Sequence, residues 1–292
     1  MPSLTGCLSA VFCHMEGQTR LAGKHHQYPL KIAKPFPLED GQLGVYVMDA
    51  SPGILAGDRY VMDWRVGEGA QVLITNQSYT KVHPARKSPN EEALPSSQIQ
   101  TFALGRNSCV EYMPEPLMLY GDAVFESRTE VTMEEGAVLL FSDVVTPGRT
   151  LRGEVFRFEK YRSSFSVNYA GELIYSSRQQ LEPGRRRADR LGSWGRYTHT
   201  GSLYVFSDRV DASFVEGLRQ ALEHGADTLR IEVPPEEDVP RPLDYGISQT
   251  YKHGLVLSAM GSRSYEIQGL LDLAWGFVRR ELLGRPPLTI RK

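Results

Sequence analysis

V-G-E-G-A-Q-V-L-I at Val66–Ile74, L-G-R-N-S-C-V-E-Y at Leu104–Tyr112 and M-E-E-G-A-V-L-L-F at Met133–Phe141 are three versions of one local design. Each has a strand-like run, a short turn rich in Gly or Asn, and a second strand-like run. The residues before these joints alternate at period 2. Asp58–Val66 and Phe125–Met133 do so clearly, and Ser97–Leu104 does so more loosely. The unit recurs at about 30 to 40 residues. A unit of that size buries its apolar face only by stacking on the next one. The expected fold is mainly β, either stacked hairpins or a flattened β-helix-like body.

The period changes to 3.6 in the C-terminal third. Asp211–His224 places Phe214, Val215, Leu218, Ala221 and Leu222 on one helical face, with Asp211 as N-cap and Gly225 just past the end. Ser264–Leu283 carries a longer stripe, Ile267, Leu270, Leu271, Ala274, Val278 and Leu282, stopped by Gly284 and Pro286. Gly269 and Gly276 lower helix propensity in this segment, which predicts close approach of a neighbouring backbone. Pro84–Ser97 and Pro234–Pro242 read as loops. The chain is therefore expected to be one domain, 1–292, with a β-rich body over about 1–207 and a helix-containing part over about 208–292.

The composition, 41% hydrophobic and 23% charged with a net charge of -2, excludes a disordered, collagen-like or coiled-coil chain. No apolar run approaches the roughly 18 residues of a membrane span, and Ser9, His14 and Glu16 interrupt any signal-peptide core. Cys7, Cys13 and Cys109 form no C-x-x-C pair. A cytoplasmic location, with no membrane partner, is the expectation. Residues 149–196 hold 11 basic against 5 acidic side chains, Arg185, Arg186 and Arg187 among them. Such a patch can attract RNA, but no nucleic-acid reading motif accompanies it, and none is expected to bind. There is no G-x-x-x-x-G-K-[ST], no G-x-S-x-G and no H-E-x-x-H. The seven histidines are scattered, so no tight metal site is expected.

S-P-G-I-L-A-G-D-R at Ser51–Arg59 looks like a phosphate loop but lies between strands, so it offers an anion no helix N-terminus. It is followed by V-G-E-G-A-Q-V-L-I-T-N-Q-S-Y-T-K-V at Val66–Val82, V-E-Y-M-P-E-P-L at Val110–Leu117, S-D-V-V-T-P-G-R at Ser142–Arg149 and G-E-V-F at Gly153–Phe156. In that order and spacing the motifs resemble the UreD family of urease accessory proteins, called UreH in some systems. The resemblance runs over nearly the whole chain. It implies a non-enzymatic β-helical scaffold, a chaperone in nickel insertion and nitrogen metabolism. Such a scaffold docks on apo-urease and on UreF, and through UreF on the GTPase UreG. It also implies nickel in transit through an internal channel, with no cofactor held tightly.

Five acids are candidates for such a path: Asp58, Glu111, Asp143, Glu154 and Glu172. Asp143 is the most telling, because alternation puts it on one face with Leu139, Phe141 and Val145. A carboxylate there must be paired or face water. Arg149 and Arg152 are its candidate partners; a structural ion pair and a channel wall both stay open. Tyr265, Trp275, Phe277, Arg279 and Arg280 on the last helix are candidates for the partner interface. Two other classes compete with the scaffold: a β-helical carbohydrate-acting enzyme with paired carboxylates, and an Arg-rich RNA-binding protein.

Overall fold

A computed structural model describes residues 4–85, 94–185, 194–231 and 243–290. The loop run expected at 234–242, most of the one at 84–97, and Arg186 and Arg187 lie outside them. Two sheets face one another. The seven-stranded sheet runs in the order Glu172–Leu181, Lys160–Tyr169, Val124–Met133, Ser96–Leu104, Arg59–Val66, Gly6–Met15, Gln18–Gln27. Its five inner strands are parallel, and an antiparallel strand closes each end. The eleven-stranded sheet has a parallel centre of Leu43–Asp49, Gln71–Asn76, Cys109–Tyr112 and Val138–Thr146. His199–Phe206, Gly254–Gly261 and Leu243–Gln249 extend it antiparallel.

The three quoted joints carry the chain from the first sheet to the second, so the arrangement that forms is the flattened β-helix. Each joint turns at its fourth residue, Gly69, Asn107 or Gly136, with φ of 68°, 55° and 72°. Gly adopts that left-handed conformation without a Cβ penalty, and Asn is among the few others that tolerate it. The corners stack. The N–H groups of Gly105 and Glu134 donate to the carbonyls of Val66 and Leu104, one coil below each, and those of Gly69 and Asn107 donate to Arg106 and Glu135 one coil above. A Cβ on Gly136 would stand 2.2 Å from Asn107 Oδ1, so a side chain there would have to displace the Asn107 amide.

Between the sheets lies the larger core, with Trp64, Phe102, Phe125, Phe141, Phe165 and Phe206 buried at its centre. A second core separates the eleven-stranded sheet from two helices, α1 (Ala212–Ile231) and α2 (Ser264–Glu281). Leu140, Leu203 and Leu257 of the sheet meet Ile267, Leu270, Leu271, Ala274 and Val278 of α2. Asp211 caps α1 as expected, its Oδ1 accepting the Phe214 N–H at 2.8 Å. Gly225 does not end that helix. It sits within α1, where a Cβ would come 3.0 Å from Leu273 of α2, so its service is close helix packing. Gly284 does end α2, at φ 66°.

One buried ionic cluster ties α2 to the coils. Glu111, fully buried, accepts hydrogen bonds from Arg279 Nη1 (2.7 Å to each oxygen), Trp275 Nε1 (2.5 Å) and Gln42 Nε2 (2.6 Å). Arg279 also donates to the Pro286 carbonyl, while Arg285 donates to Gln71 Oε1. Removing Arg279 would leave buried Glu111 with only Arg285, 3.9 Å away, as a countercharge, and breaking a buried pair is costly. Arg279→Ala is therefore expected to cost about 3–5 kcal/mol, read as a lowered denaturation midpoint, with loss of α2 docking. A loss within the range of an exposed pair, below about 1 kcal/mol, would contradict the burial of this cluster.

Candidate functional site

Parallel strands in register put equal positions of successive coils side by side. On the inner face of the seven-stranded sheet this makes rungs. Trp64, Phe102, Val131 and Val167 form an apolar one. Toward the start of the same strands the rungs turn polar: Met62, Gln100, Thr129 and Phe165, then Tyr60, Gln98, Ser127 and Ser163. There the sheets do not close on one another, and a cavity of about 170 Å³ lies between them. Tyr112, Phe141, Asp143 and Val145 line it from the facing sheet. It reaches the surface beside Pro52, Gln77, Ser78 and Lys81, all exposed, with Asp49 and Glu115 also on its wall. The space is lined about equally by polar and apolar groups and has room for several waters.

Asp143 is the carboxylic acid on which burial acts most clearly at the cavity. Its carboxyl is pushed up to about 7 by desolvation, partly offset by a hydrogen bond from the Ser202 backbone. Tyr161 and Tyr204 stand close enough for the Asp143 charge to help raise their phenols, after burial, which is the larger cause. The arginine considered as a partner, Arg149, turns elsewhere, so the ion-pair alternative for Asp143 through that residue fails. Arg149 Nε donates to Glu154 at 2.5 Å, and its guanidinium lies 4.4 Å over the Tyr120 ring. Arg152 is exposed.

Of the five acids named from sequence, Asp143 alone lines the cavity. Glu111 faces α2 across the eleven-stranded sheet and is held by Arg279. Glu154 braces a corner, accepting from Arg149 and from the Gly121 N–H at 2.8 Å; the Arg149 bond is the first cause of its carboxyl falling to about 2. Asp58 closes a turn by accepting the Leu55 N–H at 2.7 Å. Glu172 is at the surface, paired with Lys252 at 2.8 Å. The chain thus brings one of the five to the cavity and gives the others structural partners.

The interface candidates divide as well. Trp275 and Arg279 are buried in the Glu111 cluster, so they are interior and not an outer face. Phe277 packs edge-on against Phe214 of α1 at 5.4 Å. Tyr265 and Arg280 are exposed. In the basic segment, Arg149, Arg162 and Arg185 are paired with Glu154, Glu126 and Glu182. Among the described residues no group of three or more His, Cys, Asp or Glu side chains comes together to hold a metal, and no helix is long and apolar enough to cross a membrane. His199 is buried and lowered to about 4 by desolvation. Sequence reasoning missed Tyr60, Gln98, Gln100, Ser127, Thr129 and Ser163. Their signal was there: polar residues at inward positions of alternating strands, at matching places in consecutive coils.

Fold and cavity define a two-sheet β-helical protein with a polar pocket opening between its walls. Comparison with known proteins narrows the class. The family model described as UreD urease accessory protein matches residues 4–292. A urease accessory protein UreD of Acetivibrio thermocellus is 32% identical over 259 residues, 88% of this chain and 91% of that protein. Its counterpart in Bacillus cereus is 27% identical over 293 residues, covering both chains in full. A urease accessory protein UreD 2 of Streptomyces griseus is 30% identical over 303 residues, all of this chain and 94% of that one. The chain belongs to the UreD family of urease accessory proteins, which points to a role in urease maturation and names an accessory factor, not a catalytic enzyme.

The Asp143 environment predicts a pH dependence of stability. Its folded value, about 7, lies above the ordinary 3.8. The folded protein therefore holds this proton more tightly, and the associated stability is full below about pH 4 and is lost as pH rises through 7. Asp143→Asn, neutral throughout, is expected to be more stable than the parent by a few kcal/mol at most at about pH 8, with the gap closing from pH 7 to pH 4. Urea denaturation across this range measures it. A gap that is independent of pH would mean that Asp143 is solvated like a free carboxylate.

Proposed function

We propose that the chain is a non-catalytic scaffold of urease maturation that docks on apo-urease and on UreF, with UreG joining through UreF, and that nickel passes through the cavity between its sheets on the way to urease. The observation that carries this reading is the cavity itself: lined by polar and apolar side chains alike, open to the surface, and holding a carboxylate toward which no guanidinium turns among the described residues. Burying such a group among aromatic side chains is costly. A protein that needed only a packed core would have an apolar residue there, as the neighbouring rungs do.

The chemistry suits a cargo in transit. Nickel(II) is a hydrated dication of intermediate softness, and thiolate or imidazole clusters would hold it firmly. Among the described residues, Asp, Glu, Tyr, Ser, Thr, Asn and Gln oxygens line the cavity, and no Cys or His side chain does. Oxygen donors of this kind bind briefly and let go. The exposed part of α2, with Tyr265 and Arg280, is the surface proposed to help seat UreF.

The test is co-expression of the chain with urease and its other maturation proteins at limiting nickel. Asp143→Asn is expected to lower the nickel content of urease several-fold. The yield of the complex with UreF and apo-urease should stay the same, and the melting temperature should not fall. Normal nickel loading in this variant would remove the conduit from the reading. A collapsed complex would return Asp143 to a structural role.

A further inference from the structure

The two ends of the coil stack differ. At one end the joints are tight, and exposed Glu68, Arg106, Glu134 and Glu135 make it polar. At the other, longer crossovers return the chain to the seven-stranded sheet and lie one on the next. There the Ile54 N–H donates to the Lys81 carbonyl, the Tyr120 N–H to Val82 and the Asp122 N–H to Arg157. The crossover after Val138–Thr146 ends in a knob, where Leu151 stands wholly exposed in the 3-10 turn Thr150–Arg152. The turn is braced: Glu154 accepts from Arg149 Nε and the Gly121 N–H, the Arg149 guanidinium covers Tyr120, and the Arg152 N–H donates to the Arg149 carbonyl. A lone exposed leucine is ordinary. One held out by this much bracing is an anchor ordered before binding, which lowers the cost of association. Charge around it is one-sided. Among the described residues of these crossovers the acids are engaged, Asp49 by Ser51, Asp58 by the Leu55 N–H and Glu154 by Arg149, and Glu115, Asp122 and Glu159 also have partners. Lys81, Arg152 and Arg157 are exposed cations with none.

We infer that this crossover end is the face that seats apo-urease, with Leu151 as its apolar anchor and Lys81, Arg152 and Arg157 as a cationic rim that meets carboxylates on the urease surface. The inference rests on the proposed docking on apo-urease and names the surface that performs it. Two observations select the occupant. Three unpaired cations around an exposed leucine are complementary to an acidic protein surface with an apolar recess. The cavity also opens at this end, beside Lys81, so the protein seated here is the one placed to receive what leaves it.

The experiment measures binding of purified apo-urease to the full chain in complex with UreF, at several salt concentrations, with UreF capture and melting temperature recorded alongside. Leu151→Asp is expected to weaken apo-urease binding about ten-fold or more, and the double variant Arg152→Glu, Arg157→Glu to do the same. UreF capture and melting temperature should not change, because all three positions are exposed. Parent affinity should fall as salt rises, and the double charge reversal should flatten that dependence. Undiminished apo-urease binding in either variant, with the parent binding normally, overturns this surface and leaves the docking reading standing. Loss of UreF capture in its place gives the face to UreF and overturns the occupant. A parent complex that binds no apo-urease removes the docking reading and the inference together. Should Leu151→Asp lower the melting temperature, the charge reversal and its salt dependence still decide.

Discussion

Everything in this fold depends on one backbone requirement: the chain must turn between the two sheets at the same height in every coil. Parallel strands pair only if successive coils return in register, and the return is set by a residue with positive φ at the fourth place of each joint. Gly69, Asn107 and Gly136 meet that condition. Their corners also bond to one another, so each completed coil templates the next. The rungs, the aromatic core and the cavity follow from this register. A slip of one residue in any strand would exchange its inner and outer faces.

The same register explains how a polar cavity persists beside a dense core. Trp64 and Phe102 pack with ring centroids 6.2 Å apart, so one end of the space between the sheets is filled by aromatic side chains. At the other end the rungs carry Gln, Ser and Thr, whose shorter or polar side chains leave room. The division is along the strands and not between coils, which makes the polar region continuous from one coil to the next. On the far side of the eleven-stranded sheet the Glu111 cluster fixes α2, so this sheet is held by apolar packing on one face and bounded by the cavity on the other.

Much of this was legible in the sequence because the relevant signals are local. The Gly and Asn turns, the period-2 strands, the N-cap at Asp211 and the stop at Gly284 each act over a few residues. Gly225 misled because a glycine that ends a helix and one that admits a neighbouring helix look alike without the neighbour, Leu273. Glu111 and Glu172 could not be separated from Asp143 by pattern, since Arg279 lies 168 residues from Glu111 in sequence and Lys252 lies 80 from Glu172. Trp275 and Arg279 read as interface residues for the same reason: their partner was distant in the chain. Gln100 and its rung were readable in principle, but only after the three joints had been aligned and inward positions compared coil by coil.

Because the polar wall is assembled from one residue per coil, its dimension across the strands comes in steps. Each coil adds a strand spacing of about 4.8 Å and one further side chain to every rung. Gain or loss of a whole coil during evolution would therefore lengthen or shorten the lined space by a fixed increment while leaving the chemistry of each rung intact. Point changes would do the converse, altering one rung's chemistry at constant length. Geometry and composition are separately adjustable in such an architecture, which a cavity built from unrelated loops does not allow.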